Sequence, residues 1–282
     1  MFEFLAYAFG VRALIGGVIV AVTCACLGVF LVLRRLSLIA DGLGHVAFGG
    51  IAFGFFAGIY PLYAAVGAVV AGSFGIHALR KVRVFSDAAI GMMSAGGLAL
   101  GVVLVSLTQS VPADLLSYLF GTILGLADSD IFLAAGLGLA VLLSLLLLWK
   151  EWVAITLDPD FSKVAGMPVE RLEILFILLT GLTVVVATKL VGVLLVSSLM
   201  IIPASAAIQL KMPFRRTVLA SCAMALMSVL AGLQLSFSYN LSPGGAIVIV
   251  AILFFALCAS LARLLPRARR DLPVSGWGHH EY

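Results

Sequence analysis

The feature that most constrains this chain is a series of apolar runs long enough to cross a bilayer. A hydrocarbon core about 30 Å thick takes about 20 helical residues. Residues 13–33 supply 21 without a charge and end at Arg34-Arg35. Comparable runs follow at 38–58, 62–79, 88–108, 131–149, 174–188, 190–210, 217–234 and 243–265. Backbone groups in hydrocarbon must be satisfied within their own segment, so such runs fold as helices. The expected fold is an all-α polytopic membrane protein with about nine transmembrane helices. Eight to ten crossings fit, because 174–210 has no polar loop at its midpoint. The residues are 63% hydrophobic and 11% charged, with a mean hydropathy of +1.23. A soluble core of this length needs far less apolar surface.

Charge distribution sets the orientation. Fifteen of the 17 Lys and Arg residues fall on one side of this topology; Arg12 and Lys189 fall on the other. The positive-inside rule puts the larger group, residues 150–173 and the C-terminus in the cytoplasm. With nine crossings the N-terminus is outside. The formal net charge of +4 is thus a matter of topology and not a nucleic-acid signal. Residues 1–265 read as one transmembrane domain, and 266–282 as a polar cytoplasmic tail. The N-terminus lacks a basic n-region, so no cleavable signal peptide is expected.

The four cysteines, Cys24, Cys26, Cys222 and Cys258, all lie in apolar segments. Cys24 and Cys26 point to different helix faces, so spacing suggests neither a disulfide nor a thiolate metal site. Residues 114–121 are too short to cross, and read as a short or re-entrant helix at the outer surface. Asp114, Asp128 and Asp130 share that outer face. His77 lies beside Arg80-Lys81 and reads as an interfacial residue. His279-His280 near the C-terminus is an incidental metal-binding pattern.

Three motifs carry chemistry. Asp41 and His45 stand four residues apart at the start of the second run, on one helix face. They offer an oxygen and an imidazole nitrogen, which suits zinc, manganese or iron(II). His45 lies roughly 13 Å into the hydrocarbon, where an ionisable group is a functional-site candidate. The plain alternative is that the two residues pair with each other or with a neighbouring helix. The second motif is the cytoplasmic stretch at about 155–172. Asp158 suits an N-cap, Pro159 a first helical residue and Gly166 a helix end, while Pro168 can begin another helix. Two short helices are expected, with Phe161 and Val164 forming an exposed apolar pair that docks a partner. The third is the small-residue run holding Ser197, Ser198 and Pro203, a kinked helix suited to lining a pathway.

Four blocks together resemble one family. They are Leu33-Arg-Arg-Leu-Ser-Leu-Ile-Ala-Asp41-Gly-Leu-Gly-His45, Asp114-Leu-Leu-Ser-Tyr-Leu-Phe-Gly121, Asp158-Pro-Asp-Phe-Ser-Lys-Val-Ala-Gly166, and Val191-Gly-Val-Leu-Leu-Val-Ser-Ser-Leu-Met-Ile-Ile-Pro203-Ala. In order, they are similar to the membrane permease subunit of bacterial zinc/manganese/iron ABC importers, over roughly residues 2–265. The resemblance implies a type II ABC importer-like permease in the bacterial plasma membrane, as a homodimer or paired heterodimer. It also implies cytoplasmic ATPase subunits and an extracytoplasmic metal-binding protein. By the same likeness, Asp158, Pro159, Phe161, Val164 and Gly166 belong to ATPase-coupling helices. One departure is Gly44, where the family often has Ser before the histidine. No Gly-x-x-x-x-Gly-Lys-[Ser/Thr] occurs, so ATP is expected to bind a partner, with no intrinsic cofactor and no catalytic residues here. Two alternatives remain. One is a permease of similar architecture for a chelate such as a siderophore or cobalamin. The other is an intramembrane metalloenzyme, which would need a third ligand and a general base.

Overall fold

The computed structural model describes residues 8–82, 84–108, 113–121 and 128–264. Among them are twelve helices and no strand. They are α1 (Ala8–Leu33), α2 (Leu38–Ala57), α3 (Pro61–Lys81), α4 (Ser86–Leu107), α5 (Ala113–Phe120) and α6 (Asp128–Leu147). Then come α7 (Trp149–Leu157), α8 (Pro159–Val164), α9 (Val169–Val191), α10 (Val193–Gln209), α11 (Phe214–Tyr239) and α12 (Pro243–Leu264). Eight of the described helices are long and apolar enough to cross a membrane: α1–α4, α6, α9, α11 and α12. The ninth expected crossing corresponds to α10. Its 17 residues span about 25 Å, short of a full hydrocarbon core.

The junction of α9 and α10 explains why no polar loop marks it in the sequence. Gly181 lies against Leu43 and Val184 against Gly44, so α9 runs parallel to α2. Val193 also lies against Gly44, and Ser197 against Asp41, so α10 runs antiparallel to α2. The chain therefore reverses at Gly192, whose φ of 92° falls where a Cβ is disfavoured. One residue does the work of a loop.

Two boundaries differ from the sequence reading. The second short helix expected at Pro168 is the start of α9 itself, which begins at Val169 and not near residue 174. Glu170, Arg171 and Glu173 interrupt the apolar run but not the helix, because charge patterning does not break backbone hydrogen bonds. The short segment at 114–121 is the eight-residue α5, packed against α2, α9 and α10 with Leu115 and Tyr118 buried. The tail 266–282, with His279-His280, lies outside the described residues, as does the extreme N-terminus.

Turn chemistry follows local rules. Arg35, with φ of 56°, closes the tight turn from α1 to α2. Gly58 ends α2 in the left-handed conformation and its N–H bonds the Gly54 carbonyl. Pro61 then opens α3 at a position where no amide donor is needed.

Helix α2 is the centre of the packing, against α3, α4, α9 and α10. Its small residues let backbones approach more closely than side chains allow. A Cβ on Gly49 would stand 2.5 Å from the Gly97 carbonyl oxygen of α4, and one on Gly50 2.7 Å from the Ala65 Cα of α3. Gly28 of α1 abuts the Met200 carbonyl of α10 in the same way. A side chain at Gly49 must therefore push α4 away. Gly49→Val is expected to lower the thermal midpoint in detergent by the equivalent of about 1–3 kcal/mol or more. Gly136→Ala, whose new Cβ meets nothing within 4 Å, should leave the midpoint unchanged or raise it.

Candidate functional site

Helix α2 presents Asp41 and His45 on one face, and the first turns of α10 bring Ser197 to the same place. The His45 Nε2 lies 3.7 Å from the Asp41 Oδ2, beyond hydrogen-bond length. The Ser197 hydroxyl donates to the Asp41 Oδ1 across a long 3.4 Å. Most of α2 is buried, yet the Asp41 side chain is 49% exposed and that of His45 21%. The two groups are thus close without satisfying each other. Two ligands each about 2.1 Å from a tetrahedral ion stand about 3.4 Å apart, so a small rotamer change would fit this pair to a shared cation. Among the described residues, no group of three or more His, Cys, Asp and Glu side chains comes together.

The glycines around the pair differ in role. A Cβ on Gly42 would meet Ile90 Cγ2 at 2.7 Å, so that glycine admits α4. A Cβ on Gly44 would meet Val193 at 3.5 Å, an ordinary contact. The departure at Gly44 therefore reflects no steric demand. Of the α10 residues singled out by sequence, Ser197 is buried at the site and Ser198 is half-buried on the next face. Pro203 lies inside a helix that continues through it.

The stretch from Asp158 folds as its capping residues dictate. Asp158 accepts the Phe161 N–H at 2.9 Å, Pro159 occupies the first turn of α8, and Gly166 follows with φ of 82°. Phe161 is 67% exposed and Val164 88%. Leu157, which sequence reasoning passed over, is also exposed beside them. The buried face of α8 is Ser162, whose hydroxyl donates to the Asp158 carbonyl. Phe161 and Val164 on α8, with Leu157 at the end of α7, make an exposed apolar cluster of the form a docking element takes.

Charges gather at the two ends of the bundle, in pairs that sequence alone did not reveal. At one end the Glu173 Oε1 accepts Arg34 at 2.9 Å and faces Arg80 at 3.6 Å. The Arg34 guanidinium lies 5.0 Å above the Phe176 ring. Burial pushes the Arg34 pKa below the usual guanidinium value, and the charge of Glu173 opposes that shift. At the other end Arg12 pairs with Asp128 at 2.7 Å, and Lys189 with Asp130 at 2.6 Å. Arg12 and Lys189 are the two basic residues that stood apart in the charge distribution. Each meets an aspartate of the first turn of α6. The partners are more than 50 positions apart, so no local motif announces them.

A bundle of membrane-length helices, with a polar pair in its most enclosed helix and exposed apolar side chains on a short helix at one end, has the architecture of a polytopic membrane subunit. The chain belongs to the ABC 3 transport family, whose sequence model matches residues 6–262. It is 30% identical over 259 residues to the manganese transport system membrane protein MntC of Halalkalibacterium halodurans, covering 90% of this chain and 88% of that one. It is 32% identical over 247 residues to the high-affinity zinc uptake system membrane protein ZnuB of Haemophilus influenzae, covering 87% and 94%. Among solved structures, PsaBC from Streptococcus pneumoniae in complex with Fab superposes with a TM-score of 0.82 at 29% identity. That match covers 93% of this chain and 98% of the other.

The ion-pair end yields a stability prediction. Glu173→Leu strands the buried Arg34 and should cost about 3–5 kcal/mol, seen as a lower thermal midpoint and a smaller monodisperse yield. Arg80→Leu should cost clearly less, because Arg80 is partly open and Glu173 keeps Arg34.

Proposed function

We propose that this chain is the transmembrane subunit of an ATP-driven importer that moves a divalent transition metal into the cytoplasm through the plasma membrane. The observation that carries the reading is the loosely spaced Asp41–His45 pair on α2, with Ser197 beside it. A carboxylate and an imidazole at this spacing give a dehydrated cation two strong ligands, and the serine a weaker one. An incomplete shell suits transport, since the ion must leave as readily as it enters. Water or a second copy of the chain completes it, and the half-exposed carboxylate of Asp41 supports a site open on one side. Zinc and manganese are the preferred cargoes, because the relatives named above carry those metals; iron suits the same ligands. A chelate such as a siderophore or cobalamin would not require the pair.

The partners follow from the same reading. Cytoplasmic ATPase subunits supply ATP hydrolysis, an extracytoplasmic metal-binding protein delivers the ion, and a second permease copy forms the other half of the path. Helix α8, through Phe161 and Val164, docks the ATPase. The basic residues at the Arg34–Glu173–Arg80 end support a cytoplasmic location for that end, and the C-terminus lies on the same side.

Asp41→Asn removes the charge that offsets the cation, and His45→Leu removes the nitrogen ligand. Each should reduce metal uptake at least tenfold in proteoliposomes holding the assembled complex, a loss of about 1.4 kcal/mol or more. ATPase association should stay normal. A double replacement by apolar residues removes any stranded polar group, so it should fold well and still fail to transport. A well-folded double variant importing metal at the normal rate would put the path elsewhere.

Phe161→Asp should place a charge in a desolvated contact at a cost of order a few kcal/mol. The expected result is loss of ATPase co-purification with normal membrane insertion. A cysteine replacing the exposed Lys163, in a background without the four native cysteines, should react with an impermeant maleimide only from the cytoplasmic side. Labelling from the outside would reverse the orientation and remove α8 from the ATPase.

A further inference from the structure

Cys26 on α1 and Cys222 on α11 are 196 positions apart in sequence, yet their Sγ atoms lie 3.3 Å apart. Comparing neighbouring cysteines in the sequence misses this pair, because the contact depends on how α1 and α11 dock. The two thiols sit at matched depth. Cys26 is seven residues before the end of α1 and Cys222 eight after the start of α11, both roughly 10–12 Å from the same end of the bundle. Next to them the Ser221 hydroxyl donates to the Ala25 carbonyl at 3.2 Å, which holds the helices in register. Both cysteines are half-buried, whereas Cys24 is fully buried and Cys258 faces Met224. All four are free thiols.

We propose that Cys26 and Cys222 are a redox-sensitive dithiol, oxidised inside the membrane to an intramolecular disulfide by a lipid-soluble organic hydroperoxide. The sulfur atoms need to close by only about 1.2 Å to reach the roughly 2.05 Å of an S–S bond. Two S–H bonds and the peroxide O–O bond break, and one S–S bond forms. The hydroperoxide takes up two electrons and both protons, and leaves as the alcohol and water. A dithiol reductant reverses the step by thiol–disulfide exchange. The position of the pair in an apolar zone selects an oxidant that partitions into lipid.

The bond acts on transport through packing. Helices α1, α10 and α11 pack mutually, and Gly28, two residues from Cys26, abuts the Met200 carbonyl of α10. Helix α10 also holds Ser197 against Asp41. A covalent tie between α1 and α11 restrains α10 between them, so the oxidised protein transports slowly. This consequence rests on the transport reading above; formation of the bond does not.

The test uses the full chain assembled with its ATPase in proteoliposomes, treated with cumene hydroperoxide and then denatured and alkylated with a maleimide. Two of the four thiols should become unreactive and return with dithiothreitol. Peptide mapping should find Cys26 joined to Cys222. The Cys26→Ala and Cys222→Ala variants should keep their three remaining thiols reactive. Metal uptake by the unmodified chain should fall severalfold on oxidation and recover on reduction, while uptake by either variant stays constant. Four reactive thiols after oxidation, or a bond between two chains, would overturn the pairing. A complete Cys26–Cys222 bond with unchanged uptake would overturn the switch. Absence of uptake in the reduced chain would count against the transport reading alone, because the thiol count is read separately. Should the alanine variants fold poorly, the linked peptide from the unmodified chain still decides the pairing.

Discussion

A carboxylate near the start of an apolar, membrane-length helix has to meet a counter-charge, water or a cation, and Asp41 stands in the first turn of α2 with one side open. Asp41 has three polar options in reach: a histidine too far for a hydrogen bond, a serine at the limit of one, and an open side. The pair is held loosely, 3.7 Å apart, with the Ser197 hydroxyl 3.4 Å from the carboxylate.

That looseness is held in place by stiff surroundings. Close backbone contacts at Gly49, Gly97 and Gly50 fix α2 against α4 and α3. The one-residue reversal at Gly192 returns α10 along α2, so that Ser197 arrives beside Asp41. Without hydrophobic driving force between helices in lipid, such close packing supplies much of the association energy. Precise placement of three polar side chains is then a by-product of where the glycines lie.

The ends of the bundle show the same economy with charge. Arg34 and Arg80 share the Glu173 carboxylate at one end, and Arg12 and Lys189 each take an aspartate from the start of α6 at the other. Glu173 lies in the early turns of α9, and α8 joins α9 through a short segment threaded by backbone hydrogen bonds, including Met167 N–H to the Ser162 carbonyl at 3.0 Å. Backbone hydrogen bonds thus tie α8 to the start of α9. Helix α9 packs on α2 and leads into α10, the two helices that bear the site.

Much of this was legible in the sequence, for reasons that are local. Run length and absence of charge specify membrane-length helices, because hydrocarbon leaves the backbone no other partner. Spacing of four puts Asp41 and His45 on one face, and the order Asp158, Pro159, Gly166 caps and ends α8, because these depend on neighbours along the chain. The boundary at Val169 was misread, since charges that interrupt an apolar run do not interrupt helical hydrogen bonds. The sequence determined which segments are helices and which residues bear chemistry. Only the tertiary structure decided that Ser197 meets Asp41, that Glu173 is shared by two arginines, and that Cys26 touches Cys222. Those pairings join residues at least 93 positions apart, and they are set by how glycine-lined helices dock and not by any pattern within one helix.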